Sequence, residues 1–175
     1  MVVNPNSIET DPTIGLPLWP FRNRRKLEAQ WLEDLESKGI GEFVNSPIKG
    51  GPSELQTAIE QFNAGEFWEC HETLEDVWRE TPYPFRLFYH AIIKSSVGFH
   101  HLSAHNRKGA LAKLRDGVRL LKIFQPEWLG VRTNRLLADT SEWLSRIEST
   151  DLDWSELDSM PRPRIATIEA QDGSA

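Results

Sequence analysis

The sequence predicts an all-α protein, a compact bundle of about six helices built from antiparallel hairpins. Three observations lead there. Apolar residues recur at three- and four-residue spacing in one segment after another. Between those segments stand breakers: Gly39, Asn63-Ala-Gly65, Pro82, Pro84 and Pro126. No segment alternates apolar and polar residues as a half-buried strand does. The short connections favour neighbours packed back to back.

Residues 1–17 hold Pro5, Pro12 and Pro17 with no apolar period, the composition of a flexible arm. The helical domain is expected over 18–150. From Phe21 to Ser37 a first helix carries Leu27, Trp31, Leu32 and Leu35, and Gly39 stands where a helix ends. A breaker-rich connector, 45–52, leads to a second helix. Its opening, Ser53-Glu-Leu-Gln56, has capping-box spacing, and Leu55, Ile59 and Phe62 form its apolar face. After the turn at Asn63-Ala-Gly65 a third helix runs from about Glu66 to Glu80, where Pro82 and Pro84 stop it.

The fourth helix, Phe85 to about Ala104, is apolar around much of its circumference, which puts it at the centre. Asn106 is placed to cap a fifth, to about Phe124, with Ala110, Leu111, Leu114, Val118 and Leu121 as its stripe. A sixth, from about Thr133 to Glu148, carries Leu136, Leu137, Thr140, Trp143, Leu144 and Ile147. Residues 151–175 read as an irregular tail, with Trp154 and Leu157 as docking points. The hairpin turns at Asn63 and Asn106 do not keep a tetratricopeptide period, so the hairpins belong to one bundle and not to a solenoid.

With 39% apolar and 26% charged residues, the balance is that of an ordinary globular protein. No apolar run approaches the roughly 18 residues of a membrane span, and the N-terminus lacks the basic-then-apolar order of a secretory signal. Cys70 is the only cysteine, which excludes an internal disulfide and a cysteine-rich zinc site. A reducing cytoplasm is the expected location. The net charge of −6 argues against a nucleic-acid footprint over the whole surface.

The candidate site lies in Phe67-Trp-Glu-Cys-His-Glu-Thr-Leu-Glu-Asp-Val-Trp78. At about 100° per residue, His71 falls inside the stripe of Phe67, Leu74 and Trp78. Glu75 falls at its edge and Glu72 on the adjoining flank. The other histidines, His90, His100, His101 and His105, lie on or just beyond the fourth helix. If the two flanks meet, His71, Glu72, Glu75 and Trp78 face His90, Lys94 and His101, with Asn106 nearby.

Three chemistries are compatible with that cluster. A buried polar network would fix helix register, and Glu75→Ala would then cost roughly 2–4 kcal/mol. A divalent-metal site would use His71, Glu75 and His101 as ligands and Glu72 as general base, although Lys94 would repel a cation. A metal-free site would use Glu72 or Glu75, or His71, as proton carrier or ligand contact. Cys70 reads as a buried, inert thiol, and Trp68 and Trp78 as packing. On the fifth helix Lys108, Arg115, Arg119 and Lys122 share one narrow face with Arg107 beside them. That face either meets an acidic partner or is a solvated flank favoured by the helix dipole.

The order Phe62-Asn-x-Gly65-x-Phe-Trp-Glu-x-His71-Glu72-x-x-Glu75-x-x-Trp78, then Pro84, then His101-Leu-x-x-x-Asn106-x-x-Gly109-Ala110, resembles the bacterial and plastid family called domain of unknown function 309. The resemblance covers about residues 54–124. It implies a compact all-helical fold and no established activity. His90 and Lys94 stand where the family pattern leads one to expect glutamine. The expected function is a binding or structural module, with a metal-dependent hydrolase as the alternative. Outside that alternative no cofactor is expected. A protein or a small anionic ligand is the expected partner class, and neither membrane nor nucleic acid is expected.

Overall fold

The computed structural model describes residues 25–42, 50–81 and 83–168, with the side chains of 25–31 outside that set. The expected arm over 1–17, the packing positions Leu27 and Trp31, the connector before Gly50, Pro82 and the tail from 169 lie outside the described residues. Among those described there are seven α-helices: α1 (Arg25–Lys38), α2 (Ser53–Asn63), α3 (Phe67–Glu80), α4 (Arg86–Ser103), α5 (Arg107–Leu121), α6 (Thr133–Glu148) and α7 (Trp154–Ser159). Single 3-10 turns follow α1 and α5, at Ile40–Glu42 and Lys122–Phe124. No strand occurs among the described residues. Two isolated bridges, Trp128 with Val131 and Val131 with Thr167, tie the loop before α6 to the last described segment.

The apolar stripes set the packing. α4 packs against both α3 and α5, α2 packs against α3, and α6 against α5. Leu87, Phe88, Ala91, Ile92, Phe99 and Leu102 of α4 are all buried. Around them the aromatics pack edge to face, as ring quadrupoles prefer. Phe62 lies 6.1 Å from Phe99, and Phe99 lies 6.0 Å from Trp143 of α6.

Glycine lets α4 and α5 approach closely. A Cβ at Gly98 would fall 2.5 Å from Leu114 Cδ2 and 3.2 Å from the Leu114 backbone nitrogen. One at Gly117 would fall 2.6 Å from Ser95 Oγ. The buried Ser95 and Ser96 hydroxyls donate to the Ala91 and Ile92 carbonyls, and Ser96 also reaches Cys70 Sγ at 3.1 Å. Burial pushes the Cys70 thiol up to about 11, so it is the inert core thiol its position suggested.

Two local expectations are revised. Ser53 does not cap α2. Pro52, extended at ψ 162°, occupies the cap position, so the helix starts one residue earlier and the Ser53 hydroxyl turns to the Glu54 carboxylate at 3.2 Å. The segment after Thr150 is not wholly irregular, because α7 forms within it. Asp153 accepts from the Ser155 and Glu156 amides at 2.9 and 3.4 Å, and Leu157 is buried. Beyond α7 the chain returns to the α2–α3 turn. There the Asn63 amide donates to the Ile165 carbonyl at 3.0 Å and accepts from the Ile165 N–H at 2.7 Å, the two-bond pattern of paired strands.

Candidate functional site

Only one line of α4 reaches solvent along most of its length. Arg86, His90, Lys94, Val97 and His101 are half-buried, while every other residue from Leu87 to Phe99 is buried. Their steps of three and four place them on one ridge. α3 borders this ridge on one side and α5 on the other.

Each polar member of the ridge has its own neighbours. The His90 ring lies 5.1 Å from Trp78 of α3, and the Arg86 guanidinium sits over the same indole at 4.7 Å. Burial, and then the charge of Lys94, pushes His90 down to about 4, so it is neutral at pH 7. Lys94 turns away from α3. Its Nζ lies 3.1 Å from Asp116 Oδ2 on α5. Lys113, one turn earlier on α5, stands beside Lys94. The nearby positive charge of Lys94, followed by burial, holds Lys113 below the usual lysine range.

At the far end, Asn106 organises the α4–α5 turn. Its Oδ1 accepts from the Gly109 N–H at 2.9 Å, which caps α5. Its Nδ2 donates to His101 Nδ1 at 3.2 Å, which assigns the remaining proton of neutral His101 to Nε2. Gly109 is required here. A Cβ would stand 2.8 Å from both His101 Cγ and Asn106 Nδ2. Burial, then His100 and Lys113, lowers the His101 pKa.

On α3, His71 Nε2 lies 3.8 Å from Glu75 Oε2, beyond hydrogen-bond range. Glu75 is instead held by Arg79, at 2.7 Å. His71 Nδ1 is buried without a partner. The His71 ring packs 4.7 Å from Trp68, which also lies 5.2 Å from His100. Trp68 is 44% exposed, so it is a surface indole and not the core residue expected of it. Glu72 is exposed.

The sequence-based cluster therefore separates into parts. His71 and Glu75 remain neighbours. Trp78 and His90 meet across α3 and α4. Lys94 belongs with Asp116 and Lys113, and His101 with Asn106. The three residues considered as metal ligands have different partners, since Glu75 is bound by Arg79 and His101 by Asn106. Among the described residues no group of three His, Cys, Asp or Glu side chains is arranged to hold a metal ion. Sequence reasoning missed Lys113 and Asp116 of α5 as neighbours of the ridge. The available signal was glycine at 98 and 117, which brings α5 against the same flank of α4.

Residues 55–112 match the model of a domain of unknown function (DUF309). The match runs from α2 into the second turn of α5, so it contains the α3 motif, the whole α4 ridge and the Asn106 cap, but stops short of Lys113 and Asp116. A comparison with curated proteins finds no match. The DUF309 description assigns no activity, and the chemistry has to be read from the residues.

The basic face of α5 lies on the other flank of that helix. Arg115 Nη2 reaches Glu148 Oε1 of α6 at 2.9 Å. Arg119 grips the Glu36 carboxylate of α1 through both Nε and Nη2. Lys108 and Lys122 are exposed. Arg107 donates to the Ile147 and Ser149 carbonyls at 2.9 and 2.8 Å and so covers the C-terminus of α6. No described helix is long and apolar enough to cross a membrane.

Proposed function

We propose that the protein is a binding module that takes a small anion on the α4 ridge. Lys94 and Lys113 supply charge and His101 Nε2–H supplies a directed hydrogen bond. The observation that carries this reading is that Lys94 Nζ reaches Asp116 Oδ2 at 3.1 Å one turn from Lys113 on α5, so that two lysines stand together around one carboxylate. Two ammonium groups held together repel each other, and a bound anion turns that repulsion into attraction to a shared charge. Neutral His90 adds hydrogen-bonding capacity without further repulsion, and Val97 and Trp78 supply apolar surface beside it. The expected ligand is a phosphate- or carboxylate-bearing small molecule.

The test is thermal unfolding at constant ionic strength in chloride, inorganic phosphate and citrate. Phosphate or citrate should raise the midpoint of the native protein, and Lys113→Gln should abolish the rise. Saturation at a hundredfold excess over Kd adds about 2.7 kcal/mol. If neither anion raises the midpoint, or if Lys113→Gln responds as the native chain does, the reading is wrong.

A further inference from the structure

Away from the α4 ridge, an open groove of about 420 Å³ lies between α1, α5 and α6, lined by Glu36, Arg115, Val118, Arg119, Lys122 and Leu144. Its chemistry is mixed. Val118 and Leu144 make an apolar floor. Arg115 and Arg119 on α5, with Lys122 at its C-cap, present three cations along one edge. A purely electrostatic grip on a polyanion needs no such floor.

The molecule already shows what these arginines hold. Glu36 on Arg119 follows Leu35, which is fully buried, and Glu148 on Arg115 follows Ile147, also fully buried. In both cases an apolar residue enters the core and the next residue delivers its carboxylate to the α5 edge. α1 is itself an acidic amphipathic helix (Leu32-Glu33-Asp34-Leu35-Glu36), and among its described contacts it packs chiefly on the two 3-10 turns. Both ion pairs are more than half-exposed on the arginine side, where such pairs contribute little. A partner's carboxylate can therefore replace Glu148 on Arg115 at little cost, whereas on Arg119 it must displace Glu36, which is only 26% exposed. Lys122 is exposed and makes no ion pair among the described residues, so it is open to a new one.

We infer that this groove docks an acidic, leucine-bearing segment of a partner protein, with its apolar side chain on Val118 and Leu144 and its carboxylates on Lys122, Arg119 and Arg115. Glu36 competes for the same cation and moderates the affinity.

The probe is a fluorescein-labelled synthetic peptide in which Leu-Glu pairs recur at helical spacing, titrated with the full chain and read by anisotropy. The peptide should bind, and the same peptide with Gln for Glu should not. Lys122→Glu should weaken binding roughly tenfold, and Glu36→Gln should tighten it a few-fold by releasing Arg119. Circular dichroism checks that both variants keep their helix content. If Glu36→Gln loosens α1, Lys122→Glu alone decides the matter. Equal binding of the Glu and Gln peptides overturns the inference. So does an unchanged affinity in Lys122→Glu, or oligouridine binding more tightly than the peptide.

Discussion

His90 is a basic group kept from its proton, and this has a measurable cost in acid. In the unfolded chain it titrates near 6.5, and in the native state at about 4. Between these values the unfolded chain takes up a proton that the native protein refuses. Stability is then fully present above pH 6.5, falls as pH drops through the window and levels off below about 4. The gap corresponds to about 3 kcal/mol. The groups acting on His90 are Lys94, Arg86 and Lys113, which oppose protonation, and Asp116, which favours it.

The comparison is with His90→Phe, which keeps a ring against Trp78 and removes the titration. Urea unfolding at half-unit steps from pH 7 to pH 4 measures both proteins. Carboxylates elsewhere lower the stability of both equally, so the difference between them isolates His90. It should move by about 3 kcal/mol in favour of the phenylalanine variant toward pH 4. A difference that moves by less than about 0.5 kcal/mol would refute the placement of His90 in a water-poor, cation-rich setting.

Three further outcomes are expected. Gly98→Ala should cost about 1–3 kcal/mol in urea unfolding, because the new methyl meets the Leu114 backbone as well as its movable side chain. Asn63→Ala should cost about 1–3 kcal/mol and speed amide exchange at Ile165, whose N–H loses its acceptor. Glu75→Ala should cost no more than about 1 kcal/mol, well below the 2–4 kcal/mol expected of a buried network, because Glu75 is 36% exposed and pairs with an exposed arginine. A loss of several kcal/mol in urea unfolding would restore the buried-network reading.

The helices were legible because each buries a stripe that recurs every three to four residues, and Asn106 was legible as a cap because a short acceptor preceded such a stripe. α7 was not, since a six-residue helix buries little beyond Leu157 and has no room for a period. Its trace was Asp153, three residues before Glu156. At the site, the wheel placed His90, Lys94 and His101 together on one flank of α4. It could not say which neighbour each would meet. A flank between two helices offers partners on both sides, and α5 took Lys94 because glycine at 98 and 117 brings the helices close. Arg115 and Arg119 were read as part of one basic face, and each is paired with a carboxylate of a different helix. Their carboxylate partners lie 33 and 83 residues away in sequence, and no local pattern announces them.

The Asn63 clamp also has a consequence in time. Its two partners are 102 residues apart, so during synthesis the amide leaves the ribosome long before Ile165 exists. Until then its donor and acceptor are satisfied by water, and the α2–α3 hairpin can form around an unfinished corner. Closing a loop of this length carries a larger entropy cost than closing a local turn. The clamp therefore reports on how far the chain has been made, since it cannot shut before residue 165 has been added.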